Sequence, residues 1–380
     1  MRYFFLFLYF LLWVLAFLAP SLGKKAENRL AAIYCMVWAL FMGLRRHNVG
    51  NDTPGYAAYF ENNTAGGFEY GTVDKPFEDM EFGFWFISKV INFFTESSTV
   101  VFLLISFGIW VFISVLYRRY SQSPLLAILL FFTITVRLPI TALGVMVRQD
   151  VSIIVIGIGL LIILKTGVKS VSAFFHNKVA LVGGLICLFS ILVHRSTGIL
   201  IVFLFLLHFV RIPKVLAYVL IVGFTIFAVF FAETISQLFD MTLLIIGDNS
   251  SEMTSLLADR YADAMDAETI SKGALVAWIV PSLLTVYLSK KEEINTYFFK
   301  VFIFSYCLNQ LIQFSFMHDR IIALFVIVGF VGIIPYRAVK YRQFYYLYLL
   351  MALFNLYVDF KVFSSWPKDQ TEIPFFFVWQ

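Results

Sequence analysis

Charge is scarce in this chain. Of 380 residues, 14% are Asp, Glu, Lys or Arg, while 61% are hydrophobic. A soluble domain of this length does not carry so much apolar surface. Cysteine is scarcer still. Cys35, Cys187 and Cys307 each fall inside an apolar run, without disulfide or metal spacing, and reduced structural thiols are expected. No G-x-x-x-x-G-K-[ST] motif occurs, so no ATPase activity of that kind is expected. No H-E-x-x-H or C-x-x-C pattern suggests a metal, and the expectation is no cofactor and no metal. Internal repeats and low-complexity segments are also missing. No small-x-small cleavage site follows the first apolar run, Tyr3 to Ala19, which reads as a retained helix.

Apolar runs of roughly 15 to 20 residues fill most of the chain, the pattern of a polytopic helical membrane protein. The expected fold class is all-α, a single transmembrane domain over residues 1–380 with about twelve membrane helices. They are placed near 3–20, 30–44, 99–117, 125–143, 150–164, 179–193, 197–210, 215–232, 273–289, 297–316, 320–335 and 343–358. The segment "FGFWFISKVINFF" (Phe82 to Phe94) is apolar but short, with Lys89 at its middle. It reads as an interfacial or re-entrant helix.

Lys and Arg in the short loops set the expected orientation. Lys24, Lys25 and Arg29, then Arg118 and Arg119, Lys165, Lys169 and Lys178, Arg211 and Lys214, Lys290 and Lys291, and Arg337, Lys340 and Arg342 fall on one side when Phe82–Phe94 does not span. That side is the cytoplasm. Of 24 acidic residues, only Glu27, Glu292 and Glu293 lie in its loops. Because the basic residues sit in these loops, the net charge of +5 needs no nucleic-acid partner. Two long outer loops remain, near 45–81 and 233–272. N-x-[ST] triplets at Asn51, Asn62 and Asn249 lie on the same outer side; chance accounts for them in a bacterial protein, and in a eukaryotic one they would be glycosylation acceptor sites.

The outer side nevertheless carries arginine close to the membrane boundary. Arg45, Arg46, Arg137, Arg148, Arg195 and Arg320 each lie at or just inside a helix end, against the inside-positive bias. A guanidinium offers forked donors that match phosphate oxygens. Together these residues suggest an outward-facing anion site for a phosphate or pyrophosphate. Singly, each reads equally as a headgroup anchor or an ion-pair partner, Arg148 with Asp150 and Arg320 with Asp319. Three histidines, His47, His194 and His318, stand beside these arginines. His194 lies in the tight turn "HRSTG" between two helices, where an imidazole is held on rigid elements and can exchange protons. Asp52, in the Gly/Pro-bent "VGNDTPGY", is the leading carboxylate candidate, although such turns also serve local hydrogen bonding. Glu81 opens the interfacial helix and suits its dipole. In the outer compartment, glycosyl chemistry needs a pre-activated donor, and a lipid-linked pyrophosphate is one.

At these residues the chain resembles the EpsG-like group of bacterial polysaccharide polymerases, related to the Wzy-type O-antigen polymerases. The resemblance rests on "RRHNVGNDTPGYAAYF", "MEFGFWFISKVI", "VRQDVSIIVIGIGL", "LVHRSTGILIV" and "HDRII". It covers nearly the whole chain in layout, with the first block the most specific. It implies a fold like the GT-C membrane glycosyltransferases, in the bacterial inner membrane with the active site facing the periplasm. It implies transfer of a glycan from undecaprenyl pyrophosphate to another lipid-linked repeat unit. The expected partners are that lipid-linked oligosaccharide, membrane lipid and a chain-length regulator protein. Asp52 and His194 then compete as base. Arg45, Arg46, Arg137, Arg148, Arg195 and Arg320, with Glu81 and His318, form the expected substrate site. The rivals are a flippase or exporter of lipid-linked oligosaccharide, an O-antigen ligase and an outer-face acyltransferase. The last wants a histidine with an acidic partner, and His194 has no acid close in sequence.

Overall fold

A computed structural model describes residues 2–45, 53–62, 81–135, 146–246, 272–312 and 318–365. Among them the chain is helical, without a β-strand. It begins with α1 (Arg2–Leu18), a 3-10 turn at Ala19–Ser21 containing Pro20, and α2 (Lys24–Gly43). Two short helices follow, α3 (Thr53–Asn62) and α4 (Phe82–Asn92). Then come α5 (Ser98–Tyr120), α6 (Pro124–Ile134), α7 (Val147–Thr166), α8 (Val171–His176), α9 (Lys178–Val193), α10 (Thr197–Phe209) and α11 (Lys214–Ile246). The last part is α12 (Lys272–Leu288), α13 (Lys291–Ile294), α14 (Tyr297–Ile312), α15 (His318–Gly329), a 3-10 turn at Phe330–Gly332, α16 (Tyr336–Lys340) and α17 (Arg342–Ser365).

Every one of the twelve expected segments contains a helix. Among the described residues three helices are long and apolar enough to cross a membrane: Ser98–Tyr120, Val147–Thr166 and Lys214–Phe231. Several shorter apolar helices accompany them. Two differences from the sequence reading concern the outer loops. The first contains α3, which buries Tyr56, Ala57, Tyr59 and Phe60. The second is shortened by α11, whose helix runs on to Ile246. The helix at Phe82–Asn92 has 11 residues, about 16 Å at 1.5 Å per residue, half of what a membrane core requires.

Local chemistry explains where helices start and stop. Pro124 occupies the first turn of α6, where no N–H is needed. Gly167 ends α7 with φ of 66°, a left-handed cap that glycine adopts without strain. The Asn177 side chain accepts from the N–H groups of Val179 and Ala180 and starts α9. All eleven residues of α6 are buried, as expected of a helix that is apolar all round. Its Phe132 ring lies 4.7 Å from Trp38, and Tyr9, Tyr34 and Trp110 complete the aromatic core. Three lysines close the opposite, basic end. Lys24 Nζ donates to Ser121 and Gln122 carbonyls, Lys214 Nζ to Tyr287 and Ser289, and Lys300 Nζ to His208 and Val210. Each ammonium thus sits at a helix C-terminus with otherwise orphaned carbonyls.

α7 and α9 pack against each other more closely than ordinary side chains permit. A Cβ on Gly159 would come 2.5 Å from the Gly183 carbonyl oxygen and 2.6 Å from Cys187 Sγ. This close approach brings the start of α7 and the end of α9 to one place.

Candidate active site

That place is organised by Glu81, the residue preceding α4. Its carboxylate is buried and receives groups from two other elements. Arg148 Nη1, in the first turn of α7, donates to Oε2 at 2.8 Å. The Arg195 backbone N–H, in the turn between α9 and α10, donates to Oε1 at 3.3 Å. His194 Nδ1, at the C-cap of α9, stands 3.4 Å from the same Oε1, close enough for an ion pair but out of hydrogen-bond alignment. Arg148 uses a second edge as well. Its Nε donates to the Tyr56 hydroxyl of α3 at 2.6 Å.

The backbone below this cluster is built for close approach. Gly83 lies against the Leu192 carbonyl, where a Cβ would be 2.7 Å away, so glycine lets α4 seat on the end of α9. Under the polar groups lies a separate apolar floor, including Tyr59, Phe60, Phe84, Phe102, Val147, Val151 and Val193. Residues of α3, α4, α5, α7 and α9 therefore converge there.

The charge state of the hub follows from its neighbours. Burial pushes the Glu81 carboxyl upward, but the adjacent His194 ring and the Arg148 charge outweigh it and hold the group at about 2. Glu81 is therefore an ionised carboxylate at neutral pH, a poor proton acceptor and a good orienting group. His194 Nε2 is buried with no hydrogen-bond partner among the described residues. A histidine whose Nδ1 faces a carboxylate and whose Nε2 is uncommitted has the arrangement of a general base with an orienting acid.

A second arginine flanks the same helix start. Arg45 is 1% exposed, with Nη1 donating to the Met42 carbonyl at 2.7 Å and its guanidinium 5.2 Å from the Phe102 ring centroid. Burial pushes its guanidinium down to about 10, and the charge of Asp150, in the first turn of α7, opposes that. Its Nε and Nη2 have no hydrogen-bond partner among the described residues.

The sequence-derived set thus divides. Glu81, Arg148, His194 and Arg195 come together, Arg195 through its backbone while its side chain stays exposed. Arg45 lies near Asp150. His318 pairs with Asn309, its Nε2 2.9 Å from Oδ1. Arg320 lies on α15, and its side chain is outside the described residues, as are Arg46, Asp52 and Arg137. Two readings are corrected. Arg148 forms its ion pair with Glu81, 67 residues away, where the sequence had suggested Asp150. His194 does have an acidic partner, 113 positions away and therefore invisible to a search of nearby sequence. Tyr56 was missed as a site residue, although its place four residues after Asp52 in the most specific block was the available signal.

The family model of the EpsG family matches residues 28–377, nearly the whole chain, so the chain belongs to the EpsG family. No curated protein and no solved structure matches it.

Proposed function

From that family membership, we propose that the chain is a membrane polysaccharide polymerase, in the bacterial inner membrane with its site facing the periplasm. It extends a glycan by moving it from a polyprenyl pyrophosphate to the hydroxyl of another lipid-linked repeat unit. Supporting this is one observation above all: Glu81 gathers Arg148, His194 and the Arg195 turn at the ends of helices whose other ends carry the basic loops.

In the proposed reaction His194 Nε2 takes the proton of the acceptor hydroxyl while its oxygen bonds to the anomeric carbon. The bond from that carbon to the pyrophosphate oxygen breaks, and the electron pair leaves with the pyrophosphate. Arg195, whose side chain is exposed, and the guanidinium edge of Arg148 not used by Glu81 and Tyr56 face the developing charge. Glu81 orients His194 and fixes Arg148. Asp52, from the same sequence block as Tyr56, is assigned to positioning the acceptor.

The Glu81–His194 pair also suits an acyltransferase, which needs a histidine with an acid. Arginines facing a leaving pyrophosphate have no task in that chemistry, and an O-antigen ligase shares the donor but not the acceptor. Surface-polymer profiles of cells with and without the gene separate these readings. Loss of long chains with a single repeat unit retained supports the polymerase. Loss of every unit from the lipid core means a ligase, and a complete set of chains lacking only an acyl group means an acyltransferase.

A further inference from the structure

Below the Glu81 cluster, α7, α9 and α10, whose ends carry or adjoin Arg148, His194 and Arg195, form an apolar groove of about 410 Å³. Ile156 to Ile163 of α7, Leu181 to Leu188 of α9 and Ile201 to Phe209 of α10 supply most of its walls, and Phe174 of α8 part of its lower end. It opens sideways, since Leu185 is 65% and Val202 56% exposed while both line it. His208, its one histidine, is committed elsewhere, with Nε2 2.6 Å from the Val168 carbonyl. Gly184 leaves room that a side chain would take, because a Cβ there would meet Phe174 Cζ at 2.9 Å.

We propose that this groove binds the polyprenyl chain of the lipid-linked substrate, a reading that rests on the polymerase function proposed above. Position and length carry the inference. Ile156 is eight residues below Arg148 on α7, about 12 Å, and Ile163 is fifteen below it, about 22 Å. On α10 the groove begins four residues past Thr197, about 6 Å from the turn that holds His194 and Arg195. The exposed apolar side chains of Leu192 and Ile199 flank that turn in sequence. A hydrocarbon core is about 30 Å thick, so an acyl chain of an outer-leaflet lipid ends near 15 Å, at the midplane. A chain anchored by its phosphate at Arg148 must pass that point to reach the groove's lower end. A long polyprenyl chain does so and an ordinary lipid chain from the same leaflet does not.

The energetics assign different tasks to the two ends. Bilayer tails are as apolar as the groove, so there is no hydrophobic driving force for moving a chain from one to the other. Affinity comes from the phosphate at the arginines, and the groove contributes packing that depends on chain length.

The test uses the purified full-length protein in nanodiscs, with binding of undecaprenyl phosphate, farnesyl phosphate and dioleoyl phosphatidic acid measured by native mass spectrometry. The expected result is a preference of about tenfold for undecaprenyl over farnesyl phosphate, with phosphatidic acid a weak competitor. Leu185→Trp and Val202→Trp, both at exposed positions, each fill the groove and abolish the length preference, lowering undecaprenyl phosphate binding to the level of farnesyl phosphate. Arg148→Ala weakens both phosphates alike. Equal binding of long and short chains, an unchanged preference in both Trp variants, or full displacement by phosphatidic acid would overturn the proposal. Binding with the expected preference by a protein that makes no polymer would sink the polymerase reading and leave the groove standing. Polymer made without any length preference would do the reverse.

Discussion

Arg148 is the residue on which the site's geometry depends. Its two hydrogen bonds, to Tyr56 through Nε and to Glu81 through Nη1, use two different edges of one planar fork. Lysine keeps the charge but not the fork. Arg148→Lys is therefore expected to retain partial polymer synthesis and Arg148→Ala to lose it, with both proteins still present in the membrane. Chain-length profiles beside an immunoblot of the membrane fraction check this. Glu81 yields a prediction with a sign. Its folded-state pKa of about 2 lies below the ordinary carboxylate value near 4.3. Its ion pairing thus contributes fully above about pH 4.3 and is lost as pH falls toward 2. Thermal unfolding of the wild type against Glu81→Gln at pH 7 and at lower pH reads this out. The difference should be largest at pH 7 and shrink on acidification through that window. A gap of constant size from pH 7 to pH 2 would remove the charge from the explanation. At this scale the sequence displayed Glu81, Arg148 and His194 individually. Their pairing was hidden because contact between residues 67 and 113 positions apart is set by helix packing rather than spacing.

At the scale of elements, the helix positions were largely readable from the apolar runs and the basic loops between them, and the structure shows Pro124, Gly167 and Asn177 at three of the boundaries. Helix α3 was not readable. It is short, lies in a polar stretch, and forms where Tyr56, Ala57, Tyr59 and Phe60 find the apolar floor beneath the site. The contact between α7 and α9 is another feature that only packing reveals. Gly159→Val should force those helices apart, because its Cβ would already stand 2.5 Å from the Gly183 carbonyl oxygen. The variant is expected to lower the melting temperature and polymer synthesis together, since Arg148 and His194 ride on the separated helices. Unchanged thermal stability would show that the contact tolerates bulk. Helix α4 allows a test of orientation. Phe94, just past its end, is 79% exposed, and Lys169 lies in the loop after α7. In a cysteine-free background, Phe94→Cys is expected to react with an impermeant thiol reagent applied to the outer face, and Lys169→Cys only after the membrane is opened. The opposite pattern would invert the topology and place the arginine site on the wrong side for its substrate.

Across the whole molecule, basic residues do two different jobs at two ends. At one end Lys24, Lys214 and Lys300 neutralise helix C-termini, each through two carbonyls of a neighbouring helix. At the other, arginines surround the N-terminus of α7 and meet a buried carboxylate. Between them lies the aromatic core on Trp38, fully buried and ringed by Tyr9, Tyr34, Phe41, Trp110 and Phe132. That division is why the lysines and arginines of the short loops gave an expected orientation from sequence, while the arginines at the other end stood out against it. The central claim is that His194, oriented by Glu81, removes the acceptor proton in glycan polymerisation. Its most direct test is a rate measurement with purified protein on lipid-linked repeat units, comparing wild type, His194→Gln and Glu81→Gln. The account predicts a loss of roughly 10²- to 10⁴-fold for His194→Gln, the range of general base catalysis. It predicts a smaller loss for Glu81→Gln, with undecaprenyl phosphate still bound by His194→Gln. Near-normal polymerisation by His194→Gln would contradict it and move the search for the base to Asp52.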